Sequence, residues 1–164
     1  MTSPVRLQLS RRKGFDLQAW SREVNGLPAV NVARPGRFGN PFNFRASDCC
    51  WAALSVGCRG DARGRQEASV RFFRMWISPP YGRRHLAFEE QVKFGRGDDF
   101  IAVGPKIAAG EAPSLDEIRT ALAGKNLTCW CALCDEHGRG KPLGSSCAAC
   151  APCHADVLGE LANG

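Results

Sequence analysis

Cys131-Ala-Leu-Cys134, a gap of twelve residues, and Cys147-Ala-Ala-Cys150 set four thiols at a spacing that closes a tetrahedral zinc site. Each CxxC bends as a tight knuckle that aims both sulfurs at one ion. The stretch between them, residues 135–146, contains Gly138, Gly140, Pro142 and Gly144, so it reads as a loop that returns the chain. Six of the nine cysteines fall between positions 129 and 153, a concentration that favours a metal over scattered core thiols. The expectation is one structural Zn2+ on Cys131, Cys134, Cys147 and Cys150. Cys129, His137, Cys153 or His154 can each take the place of one of them. Reduced or disulfide-linked cysteines with no metal form the alternative. Four cysteines leave no open coordination position, so such a site braces a loop and does not activate water.

The residues flanking the knuckles carry more chemical promise. Cys153 and His154 sit at the expected first turn of a last helix, where unpaired N–H groups and the helix dipole favour an anion and lower a thiol pKa. Cys129 arrives from the end of a strand and can meet them. This makes either a thiolate–imidazole pair, with Cys153 and His154 as the catalytic candidates, or an anion pocket lined by backbone N–H groups. The chain has no P-loop, no HExxH and no GxGxxG after a strand. It also lacks the His-x-Glu pair that a zinc deaminase needs.

These residues need elements to position them. Val5-Arg6-Leu7-Gln8-Leu9 alternates as a half-buried strand, and Ala29-Val30-Asn31-Val32-Ala33 reads as a second. The segment Arg34–Phe42 carries two prolines and two glycines and cannot be regular. It offers Arg34, Arg37 and Asn40 at a strand end, the usual ligand position of open α/β sheets. A tight turn anchored by Phe42 is the plainer alternative. From Gly64 on, Ala68, Phe72, Met75 and Trp76 recur at helical spacing, an aromatic stripe expected in the core, and Pro79-Pro80 stops that helix. A short helix is expected around His85–Val92 and an extended stretch at Phe100–Val103. Ser114-Leu115-Asp116-Glu117 is a capping box for a helix that Gly124 ends. Asn126–Cys131 reads as a buried strand that delivers the zinc loop, and Pro152 opens the final helix.

The expected fold is α/β: a single small, three-layer-like domain over residues 1–164. A zinc-knuckle insertion, residues 131–150, lies between the last strand and the last helix. The 164 residues, 44% hydrophobic, suffice for a core. No run approaches a membrane span and the start has no apolar signal core, so a cytoplasmic location without membrane association is expected. Residues 1–100 hold seventeen Lys and Arg against nine Asp and Glu, a net of +8, whereas residues 101–164 come to −2. Arginine dominates the basic half, and its planar fork suits phosphate. A solvated basic surface is the plain alternative.

GNPF at Gly39–Phe42, the run Gly124-Lys125-Asn126-Leu127-Thr128-Cys129-Trp130-Cys131 and the ending Pro152-Cys153-His154-Ala155-Asp156-Val157-Leu158 together resemble the domain of unknown function 4326 family. Its members are uncharacterised phage and bacterial proteins. The resemblance covers most of the chain, and the CWC…PCHADVL ending is its specific part. It implies that the link between CWC and PCH, short in many members, is here expanded by the knuckle. It also implies that Cys129, Cys153 and His154 belong to a shared site with Arg34, Arg37 and Asn40, with Cys131 common to both patterns. A bacterial host cell, with a phage or bacterial gene, follows as the expected setting. No activity transfers.

The functional expectation is a zinc-binding protein that takes a phosphate-bearing, nucleotide-like ligand through Arg34, Arg37, Asn40 and Cys129. If it is an enzyme, hydrolysis or transfer at a nucleotide is the expected chemistry. The alternatives are a non-enzymatic DNA- or RNA-binding module, and a phage-type protein that occupies a host factor. The oligomeric state is open.

Overall fold

The computed structural model describes residues 2–78, 93–96, 99–102 and 109–164. In chain order they form β1 (Val5–Gln8), α1 (Leu17–Asn25), β2 (Ala29–Asn31), a 3₁₀ turn (Ser47–Cys49), α2 (Cys50–Ser55) and α3 (Ala62–Ile77). Next come β3 (Lys93–Arg96), β4 (Asp99–Ala102), α4 (Leu115–Leu122), β5 (Asn126–Cys129), a 3₁₀ turn (Asp135–His137), β6 (Lys141–Pro142) and α5 (His154–Asn163). The helix expected around His85–Val92 and the end of the stretch at Val103 lie outside the described residues.

The chain is α/β. Its main sheet has the order β2-β5-β1-β6, with β1 and β2 both parallel to β5 and β6 antiparallel to β1. The central strand β5 is buried at all four positions, as a strand flanked on both sides and covered on both faces must be. Its polar residues are satisfied internally. Asn126 Oδ1 accepts from the Val5 N–H at 2.9 Å, and its amide donates to Ser21 Oγ at 2.8 Å and Asn25 Oδ1 at 2.7 Å. Thr128 Oγ1 donates to the Val30 carbonyl. One amide thus pins the starts of β1 and β5 to α1.

α1, like α2, β3 and β6, was not among the expected elements. Asp16 caps it by accepting from the Ala19 N–H at 2.8 Å, and Gly26 ends it in the left-handed conformation at φ 81°. Its one fully buried residue is Ser21, and Leu17, Trp20 and Val24, at helical spacing, are half-buried. The helix is what lets β1 and β2 run parallel, because parallel strands need a crossover.

Two compact units divide the chain: residues 1–39 with 115–164, and residues 40–114. The first contains the main sheet, α1, α4 and α5, with Leu7, Val32, Ile118, Leu122, Leu127, Val157 and Leu158 in its core. In the second, the stripe on α3 is core, as its spacing predicts. Phe72 meets Phe42 and Phe44 at ring separations of 5.6 and 5.2 Å, and Trp76 Nε1 donates to the Gly110 carbonyl. β3 and β4 pair antiparallel in this unit. Cys49 and Cys58 are buried here as small core residues.

Candidate metal centres

Parallel β1, β2 and β5 end together. The Leu9 N–H donates to the Cys129 carbonyl and the Val32 N–H to the Thr128 carbonyl, both at 2.9 Å. Beyond this edge the chain turns and returns as β6, which lies against β1 with Arg6 opposite Lys141. Gly140 makes the return possible: its φ is +131°, and a Cβ there would fall 2.8 Å from Val5 Cγ2. An Ala151 N–H to Ala132 carbonyl bond at 2.9 Å closes the base of the loop.

Within this loop Cys134, His137, Cys147 and Cys150 bring their ligand atoms within 4.8 Å of one another. Cys134 Sγ lies 3.9 Å from Cys147 Sγ, 3.5 Å from Cys150 Sγ and 3.3 Å from His137 Nδ1, and Cys150 Sγ lies 3.4 Å from the same nitrogen. Bonded sulfurs stand about 2.05 Å apart, so these are not disulfides. Two thiolates on one tetrahedral zinc-sized ion stand about 3.8 Å apart, and a thiolate and an imidazole nitrogen about 3.6 Å. The quartet fits one metal ion. Backbone N–H groups of Cys150 and Ala149 bring the Cys147 thiol down to about 6, a knuckle already arranged for a thiolate.

The quartet differs from the expected one at a single position. Cys131 was assigned to it, but the structure places His137 there and turns Cys131 to a second cluster. The reason is local geometry. β5 ends at Cys129 and the chain bends at Trp130 and Cys131, which brings the Cys131 sulfur back to 3.7 Å from that of Cys129. His137 is three residues beyond Cys134 on a 3₁₀ turn, where such pairs line up.

That second cluster is Cys129, Cys131 and Cys153, whose sulfurs also lie within 4.8 Å of one another. Cys153 is the N-cap of α5, and its sulfur accepts from the Ala155 N–H at 3.5 Å. His154 Nε2 is 2.8 Å from the Val32 carbonyl, which can only accept, so this nitrogen carries the proton. Its Nδ1 lies 3.9 Å from Cys153 Sγ. Hydrogen bonds from the Cys131 and Cys153 thiols hold Cys129 far below the usual thiol range, as the thiolate. The same bond pushes Cys131 up to about 11, and Cys153 is raised well above its ordinary value by its bonds to Cys129 and Cys131 and by burial. The Arg6 guanidinium favours the thiolate form of Cys131.

Of the remaining expected site residues, Arg34 and Arg37 are exposed on the turn that follows β2, and Arg37 makes an ion pair with Glu117 at 3.1 Å. Asn40 belongs to the second unit. It is buried, and its amide holds the loop there: Oδ1 accepts from the Phe42 N–H at 2.9 Å and Nδ2 donates to Ser69 Oγ at 2.9 Å. An open cavity of about 400 Å³ lies at the end of β1, lined by Gln8, Leu9, Ser10, Arg12, Phe15, Trp20 and Gly138. The spacing of these residues gave no sign of it, because the lining draws on β1, the segment after it, α1 and the distant Gly138. Arg139 lies over the Trp20 ring at 5.1 Å and pairs with Glu23 at 3.2 Å. Together with Gly138, this makes the metal loop one side of the cavity.

A family model described as a domain of unknown function (DUF4326) matches residues 15–164. The chain belongs to this family. The match takes in α1, the turn after β2, the metal loop and α5, so both cysteine clusters of this DUF4326 protein lie inside it. No curated protein and no solved structure matches the chain. Among the described residues, no helix is long and apolar enough to cross a membrane.

Proposed function

We propose that this is a zinc-braced α/β protein that binds a phosphate-bearing, nucleotide-like ligand at the C-terminal edge of its parallel strands. The observation that carries the proposal is the cavity at the end of β1, where one wall is aromatic and aliphatic and one rim is polar and basic. Phe15, Trp20 and Leu9 offer the faces on which a base packs. Arg12 and Ser10 offer a guanidinium and a hydroxyl for phosphate oxygens. Zinc is the ion assigned to Cys134, His137, Cys147 and Cys150, because three thiolates and an imidazole in tetrahedral array suit it. That site is closed, so the metal orders the loop holding Gly138 and leaves the ligand to the side chains. Cys153 and His154 are both buried, which suits holding a neighbour better than attacking a substrate.

The test is calorimetric titration of the metal-replete full chain with nucleoside mono-, di- and triphosphates, inorganic pyrophosphate and short DNA and RNA strands. Binding of a nucleotide is expected, weakened roughly tenfold or more in Arg12→Ala through loss of a charged hydrogen bond. Binding of the strands alone, falling steeply with salt, would replace this by the nucleic-acid reading. Exposed Trp130, with the Arg11 guanidinium 5.0 Å over its ring, would then mark the contact face. No binding by any of them overturns the proposal.

A further inference from the structure

We propose that Cys129, Cys131 and Cys153 hold a second thiophilic divalent ion of the zinc class, with His154 Nδ1 as its fourth ligand. The Cys129 and Cys131 sulfurs are 3.7 Å apart, close to the roughly 3.8 Å that two thiolates on one tetrahedral ion require. The third sulfur, of Cys153, lies within 4.8 Å of both. His154 is already oriented as a ligand. Its Nε2–H is tied to the Val32 carbonyl at 2.8 Å, the outer hydrogen bond that fixes the tautomer of a metal-binding imidazole, so Nδ1 is the nitrogen that would meet the ion. Nδ1 is 3.9 Å from Cys153 Sγ, near the roughly 3.6 Å of a bound pair, but it is not within 4.8 Å of all three sulfurs, so the ring has to close on the cluster as the ion enters.

The surroundings suit such an ion. A dication entering the cluster displaces the thiol protons to solvent, and three thiolates with one neutral imidazole leave one net negative charge. The buried Arg6 and Lys141 share the single carboxylate of Asp156, which leaves one positive charge in excess to match it. The ligands come from the end of β5 and the start of α5, and His154 is also bonded to the end of β2. One ion would therefore tie together the carboxyl edge of the parallel strands. This goes beyond the loop-bracing zinc, whose four ligands are all different residues.

The experiment is anaerobic titration of the metal-stripped full chain with Co2+, read by its thiolate charge-transfer and d–d absorption. Two equivalents taken up per chain, both with tetrahedral spectra, are expected. Cys134→Ser/Cys147→Ser should keep one equivalent, and His154→Gln in that background should shift the d–d band of the remaining ion. Saturation of the wild type at one equivalent overturns the second site. So does a quartet variant that is folded by circular dichroism and takes up none. If the quartet variant does not fold, the wild-type stoichiometry decides alone. An unshifted band in the His154 variant overturns the fourth ligand. No nucleotide enters any of these readouts, so the result stands apart from that of the ligand titration.

Discussion

Arg6 and Lys141 bury two positive charges against one carboxylate. Asp156 Oδ2 accepts from Arg6 Nη1 at 2.7 Å and Oδ1 from Lys141 Nζ at 2.9 Å, while the two cations are only 1% and 3% exposed. Arg6 also donates to the Ala151 carbonyl and Lys141 to the Ser145 carbonyl, so the pair fastens β1 and β6 to the metal loop and to α5. Removing the shared carboxylate strands both cations, which costs about 3–5 kcal/mol for a buried pair. Asp156→Asn is therefore expected to lower the stability measured by urea unfolding by several kcal/mol. A change under about 1 kcal/mol would show that the cations reach water or other acceptors. Alternation along β1 points Arg6 and Gln8 to the same face, and nothing local indicates that Arg6 is buried there.

At the scale of elements, two turns decide whether the sheet closes. The Asp16 cap starts α1, and Asp16→Ala should cost about 1 kcal/mol in urea unfolding, the usual loss for a side-chain N-cap. Gly140 opens β6 at a φ of +131°, and the Cβ of an alanine would sit 2.8 Å from Val5 Cγ2. Gly140→Ala should cost about 1–3 kcal/mol through strain and overpacking. It should also release metal faster to a chromogenic chelator, because the loop loses its anchor on β1. Release at the wild-type rate would mean that the knuckles hold the ion without the sheet.

At the scale of the molecule, every candidate metal ligand among the described residues belongs to the unit formed by residues 1–39 and 115–164. Metal that binds only the folded state adds its binding free energy to folding. Stripping with a strong chelator should therefore speed amide exchange in β1, β5, β6 and α5 and leave α3 at its original protection. Equal loss in both units would mean that the two unfold as one.

What the residues alone determined is what depends on near neighbours. The knuckle of Cys147 and Cys150 follows from cysteines three apart, the ending of α4 from Gly124 at φ 69°, and the core stripe of α3 from a helical period. The family, too, was legible in CWC and PCHADVL, and the α/β class in strands that alternate with helices. Only the tertiary structure decided how seven cysteine and histidine ligand atoms divide into a quartet and a triad, because that division turns on which way the chain leaves β5. It alone showed Arg6 meeting Asp156 across 150 positions of sequence, and α1 held by a buried serine and two asparagines. Contacts between distant segments leave no period or spacing in the chain. They arise only once the strands are in register.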